Sequence, residues 1–180
     1  MMKLTGLTGL TGLIGLIGLM FSTNILANVE KDINIGMQVI SPTCNYVLEQ
    51  NGNITDKICL GTHKLESINN NATDIKKFSI SPALGLSCDF GNAYITIRGT
   101  WDSNGYYSGN TGTAKGITVK VDALNIAGQL SNSYTQSSNK HLVDSLGGKF
   151  SFQAQLLKSS SIAVTPGDVN ISTNFDIQYK

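Results

Sequence analysis

The segment Val169-Asn-Ile-Ser-Thr-Asn-Phe-Asp-Ile-Gln-Tyr-Lys180 puts Val169, Ile171, Phe175, Ile177 and Tyr179 on one side of an extended chain and Asn170, Ser172, Asn174, Asp176, Gln178 and Lys180 on the other. Only Thr173 softens the apolar side. Side chains alternate across a strand with a period of two, so this pattern predicts a half-buried β-strand. No residue follows that could form a further strand beside it, and the strand is expected to find its neighbours elsewhere.

Working upstream, other runs alternate in the same way. Phe150, Phe152, Ala154 and Leu156 alternate with Ser151, Gln153 and Gln155, and Pro166-Gly167 then introduces the final strand. Ile117, Val119 and Val121 alternate with Thr118, Lys120 and Asp122, after a Gly-rich stretch from Asn104 to Gly116. Tyr94-Ile-Thr-Ile-Arg98 is rich in β-branched residues, Phe78 and Ile80 precede Pro82, and Ile33, Ile35, Met37 and Val39 alternate with Asn34, Gly36 and Gln38. Leu65 to Ile75 and Asn132 to His141 read as polar loops. Strands at this spacing, with no sustained helical period, predict an all-β sandwich. The composition agrees: charged residues make up only 14%, and abundant Asn, Ser, Thr and Gly suit polar turns between short strands.

The N-terminal end reads differently. Between Met1 and Ala27 the only charge is Lys3, followed by an apolar run through Leu7, Leu10, Leu13, Ile14, Leu16, Ile17, Leu19, Met20 and Phe21, then Asn24-Ile-Leu-Ala27. This is the layout of a secretory signal peptide cleaved after Ala27, and its Gly and Thr content weakens it as a permanent membrane span. What remains, residues 28–180, is one domain's worth of chain. The whole chain holds 13 basic and 12 acidic residues. That balance gives no electrostatic case for nucleic acid or an anionic membrane surface.

With these residues in view, the chain resembles a chaperone–usher fimbrial subunit, a bacterial pilin. The specific part is C-terminal: Phe150-x-Phe152-x-Ala154, Val164-x-Pro166-Gly167-x-Val169, then alternating apolar residues to a penultimate Tyr179, with Gly167 thirteen positions before the end. Ser41-Pro-Thr-Cys44, Ile58-Cys-Leu-Gly61, Phe78-Ser-Ile80 leading to Cys88, and Thr113-Ala-Lys-Gly116 fall in pilin order upstream. The resemblance implies a signal peptide over 1–27, an N-terminal donor-strand extension over 28–43 and a pilin domain over 44–180. It implies an incomplete immunoglobulin-like β-sandwich, completed by a donor strand from a chaperone or a neighbouring subunit. The protein would then be a structural subunit of an adhesive fimbrium, in transit through the periplasm and finally on the bacterial cell surface. Its implied partners are a periplasmic chaperone, an outer-membrane usher and other pilus subunits, with no cofactor.

Residue roles follow from the resemblance. Ile33, Ile35, Met37 and Val39 are the expected donor strand, entering a neighbour's groove by strand addition, in which main-chain hydrogen bonds supply affinity and alternate side chains supply specificity. An ordinary edge strand of the chain's own sheet is the plainer reading of the same residues. Family members commonly place a glycine among the groove-facing donor positions, whereas Gly36 here falls on the opposite phase and Met37 faces inward. A one-residue slip would move every side chain to the other face. Val169, Ile171, Phe175, Ile177 and Tyr179 are the expected acceptor groove and chaperone-binding residues. The resemblance also pairs Cys44 with Cys88 in a disulfide and leaves Cys59 over; the residues themselves leave Cys44 to Cys59 open as well. An unpaired Cys59 is either a shielded thiol or a site of intermolecular pairing.

Two other function classes are weighed. The histidines, His63 and His141, have no metal-ligand spacing, and no nucleophile elbow, paired-carboxylate or phosphate-loop pattern occurs, so no enzyme is expected. A glycan- or receptor-binding subunit would use Thr100-Trp-Asp-Ser-Asn-Gly-Tyr-Tyr-Ser-Gly-Asn110, with Trp101, Tyr106 and Tyr107 as the possible receptor loop. The plainer reading is an exposed connection with Trp101 packed on the sandwich edge.

Overall fold

The computed structural model describes residues 32–33, 35–37, 44–83 and 91–179. In chain order these form β1 (Asp32–Ile33), β2 (Ile35–Met37), β3 (Tyr46–Gln50), β4 (Asn53–Thr55), β5 (Ile58–Cys59), α1 (Leu65–Asn69), β6 (Lys76–Pro82), β7 (Asn92–Arg98), β8 (Ile117–Leu124), β9 (Leu130–Tyr134), β10 (Lys140–Asp144), β11 (Phe150–Lys158) and β12 (Thr173–Tyr179). The alternating runs of β6, β8 and β11 join β3, β4 and β9 in a six-stranded antiparallel sheet of order β4-β3-β6-β11-β8-β9. A four-stranded sheet of order β10-β7-β12-β2 packs against it, and β1 and β5 form a separate pair. The architecture is an all-β sandwich.

Period-two patterning fixes which residues meet between the sheets. From β11, Phe150, Phe152, Ala154 and Leu156 are all buried, while the intervening positions are less so. Phe152 lies directly across from Phe78 of β6, their rings stacked 5.4 Å apart. Phe175 of β12 meets Phe152 edge-on at 5.3 Å and Phe78 at 6.2 Å. These three rings join the two sheets at the centre of the core, in the offset and edge-to-face arrangements that aromatic quadrupoles favour.

Three expectations are corrected. The stretch from Leu65 to Ile75 carries α1, held by fully buried Ile68, rather than an unbroken loop. The stretch from Asn132 to His141 contains the end of β9 and the start of β10. Each of these edge strands has a single buried residue, Tyr134 or Val143, too few for a legible alternation. The final strand begins at Thr173 rather than Val169. Val169 and Ile171 are buried, but the preceding loop takes their neighbours' backbone bonds: Ala114 N–H donates to Asp168 O at 3.0 Å, Thr111 N–H to Asn170 O at 2.9 Å, and Asn170 N–H to Asn110 Oδ1 at 2.6 Å.

Candidate functional site

The site is the far edge of β12. Its near edge pairs antiparallel with β7 over Asn174 to Tyr179. Its far edge meets β2, in parallel and over three positions only, Thr173 with Ile35, Asn174 with Gly36 and Phe175 with Met37. Among the described residues no strand pairs that edge at 176–178. Thr173, Phe175 and Ile177 point into the sandwich and are buried, with Tyr179 half-buried at the end of the row.

The segment expected to leave for a neighbour therefore lies in the chain's own sheets. Ile33 stands opposite Ile58 in the β1–β5 pair, and Ile35 and Met37 stand along β12, while Val39 lies outside the described residues. Unpaired backbone along β12 has a free-energy cost, and a tethered segment reaches it at high effective concentration. Residues 1–27, expected to be a signal peptide, and Cys88 also lie outside the described residues.

Tyr179 closes the site at its C-terminal end. Its hydroxyl donates to that of Tyr46 at 2.5 Å, and the rings lie 6.5 Å apart. Burial raises the Tyr179 pKa, and the hydrogen bond with Tyr46 opposes that rise. Two residues before Tyr46, Cys44 is buried and disulfide-bonded, whereas Cys59 is a free, exposed thiol.

Comparison with solved structures brings out the crystal structure of the P pilus rod subunit PapA. The match has a TM-score of 0.50 and 16% sequence identity, covering 78% of this chain and 95% of that one. The fold is pilin-like. No family model matches the sequence, and no curated protein sequence matches it. At this identity the likeness speaks for the fold alone, and it covers nearly all of the rod subunit.

Within this pilin-like fold the Trp101 loop is knitted into the sandwich. Asp102 Oδ1 accepts from the N–H groups of Asn104 and Tyr106 at 2.9 and 3.0 Å, and Trp101 packs on Tyr107 with ring centroids 4.2 Å apart. Tyr107 is fully buried and donates its hydroxyl to Ile97 O at 3.3 Å. Its place in a receptor-contacting loop is therefore corrected: the ring fills the core, and Trp101 covers it. Tyr106 is half-buried. Trp101 and Asp102 also border a surface cavity of about 430 Å³ with Asn110, Lys115, Ser159 and Ser161. Neither Tyr106 nor Tyr107 lines it.

His63 is buried, with Nε2 donating to Leu60 O at 2.8 Å. His141 Nε2 lies 3.0 Å from Ser138 O. No group of three or more His, Cys, Asp or Glu side chains that could hold a metal occurs among the described residues. No helix among them is long and apolar enough to cross a membrane.

On the outer face of the four-stranded sheet, sequence reasoning missed Asp176. The alternation makes it a solvent-facing position, yet it is 4% exposed and accepts from Arg98 Nε at 2.5 Å. Asn174 lies opposite Arg98 in the β7–β12 register, two residues from Asp176. A basic residue closing the strand opposite, Arg98 of Tyr94-Ile-Thr-Ile-Arg98, was the available signal.

Proposed function

We propose that this chain is a structural subunit of a pilus, polymerising by donor-strand exchange. The observation that carries the reading is the far edge of β12: an apolar row in a pilin-like fold, met over only three residues by a strand from the chain's own N-terminal segment. Parallel pairing is slightly weaker per residue than antiparallel, and three positions leave much of the edge to a better occupant. A longer incoming strand covering about four or five apolar side chains would gain on the order of 10 kcal/mol gross before ordering costs. That margin favours exchange of the short intramolecular strand for a neighbour's.

In this reading the segment at Ile33, Ile35, Met37 and Val39 leaves its own sheet and completes the groove of Val169, Ile171, Phe175, Ile177 and Tyr179 in the next subunit. A periplasmic chaperone holds that groove first, and an outer-membrane usher passes the subunit to the surface fibre. Residues 1–27 are the export signal, and Cys44 pairs with Cys88. The C-terminal motif ending at Tyr179 and the likeness to a rod subunit support this assignment.

The test is Ile35→Asp in a strain producing the full chain with its chaperone and usher. The expected result is loss of fibres with chaperone capture retained, because a carboxylate entering an apolar groove must be desolvated. Fibre yield equal to the parent chain refutes the donor assignment.

A further inference from the structure

Thr173 opens the row that β12 turns into the sandwich and is followed there by apolar Phe175 and Ile177. It is 3% exposed, its hydroxyl has no hydrogen-bond partner among the described residues, and it stands opposite Ile35 where β2 meets the strand. Its methyl is committed to the opposite flank: a Cβ built on Gly99, which follows β7, would lie 3.4 Å from Thr173 Cγ2. A buried hydroxyl left unsatisfied costs free energy that the isosteric valine would avoid.

The residues that alternation assigns to the chain's own N-terminal strand are Ile33, Ile35, Met37 and Val39, and none carries a hydrogen-bonding group. The chain's own segment thus leaves the hydroxyl unanswered. A threonine or serine directly across a strand pair answers such a group, since hydroxyls at facing positions hydrogen-bond each other.

We propose that Thr173 selects the incoming strand: its cognate occupant is a strand of another protein chain that carries a threonine or serine opposite Thr173 in an otherwise apolar row. This rests on the donor-strand reading above. Thr173 is then a specificity residue, favouring exchange of the chain's own strand for a partner's.

The experiment refolds the full chain from denaturant with a labelled synthetic peptide of residues 28–40, and with the same peptide bearing Ile33→Thr, Ile35→Thr, Met37→Thr or Val39→Thr singly. Each peptide is titrated against the parent chain and its Thr173→Val and Thr173→Ser variants, and the half-saturating concentration is read. Competition from the chain's own segment cancels in the ratio of threonine-bearing to parent peptide. At one position only, that ratio should favour threonine by about fivefold more in the parent chain than in Thr173→Val, as expected of a coupled pair. Thr173→Ser should keep the preference. Equal ratios for parent and Thr173→Val at every position overturn the inference while leaving strand addition standing. Failure of every peptide to bind overturns the donor-strand reading, and this inference with it.

Discussion

The Tyr179 hydroxyl donates to the Tyr46 hydroxyl, tying the last residue of β12 to the first of β3 across the two sheets. The contact joins the strand that forms the candidate groove to the strand that follows Cys44. A neutral phenol is needed to donate, and burial shifts the Tyr179 pKa upward, in the direction that favours it. Tyr179→Phe and Tyr46→Phe should each cost about 1 kcal/mol in urea unfolding, with the double variant costing little more than either. Additive losses would show that the two hydroxyls do not act on each other.

Arg98 and Asp176 form a pair of unequal exposure. The Arg98 side chain is 65% exposed and that of Asp176 only 6%. Removing the cation leaves a carboxylate desolvated and unpaired, whereas Asp176→Asn removes the charge that needs a partner. Arg98→Met should therefore destabilise by about 1–3 kcal/mol, below the range for wholly buried pairs because the guanidinium is solvated, and Asp176→Asn by less. Chemical denaturation of both variants checks the order, and the reverse order would contradict it.

The interior strands were legible in the sequence because both sheets bury one face, which writes a period-two record into Phe150 to Leu156 and Ile117 to Val121. The edge strands β9 and β10 left no such record, since each buries one residue. The β3–β4 hairpin was not read from the sequence; its turn holds Asn51 and Gly52 at positive φ of 55° and 79°, a geometry that an Asn-Gly pair suits. For the candidate site, the apolar row of Phe175, Ile177 and Tyr179 was readable from alternation. The partner of β12 was not, because pairing between distant segments depends on register and sense, which periodicity does not encode. Asp176 was misread for a related reason: its charge partner, Arg98, comes from another strand.

Gly167 has φ of 146°, and a Cβ there would lie 2.5 Å from Thr113 Oγ1 and 2.6 Å from Ala114 N. Thr113 Oγ1 in turn accepts from Asp168 N–H at 2.9 Å, so the clash falls on the clamp that leads the chain into β12. Gly167→Ala should cost roughly 3 kcal/mol from strain and overpacking combined. Gly147→Ala is the control: φ is also positive, but nothing lies within 4 Å, so only about 1 kcal/mol is expected. Similar thermal shifts for the two would remove the steric argument.

Trp101 covers Tyr107, so Trp101→Ala should lower stability by about 2 kcal/mol, less than a fully buried tryptophan because the side chain is only partly covered. Glycan-array binding by the parent chain that disappears in a still-folded Trp101→Ala protein would instead assign the neighbouring cavity to a ligand.

Alkaline pH should unfold this protein through two tyrosines. Tyr107 and Tyr134 are fully buried, each donating to a carbonyl of β7 at 3.3 Å, Ile97 O and Ile95 O respectively. Burial raises both phenol pKa values far above the ordinary tyrosine range, with Tyr134 raising that of Tyr107 further. Above about pH 10 the unfolded chain releases these protons while the folded chain keeps them, so the unfolded state binds fewer protons and stability falls as pH rises. The slope approaches about 1.4 kcal/mol per pH unit for each tyrosine, or roughly 5 kcal/mol for the pair by pH 12. Below about pH 10 these two groups contribute no pH dependence. Urea midpoints measured from pH 8 to 12 should show the decline, and Tyr134→Phe should halve its slope by removing one of the two protons. A parent chain whose midpoint holds steady to pH 12 would mean that these hydroxyls ionise without opening the core.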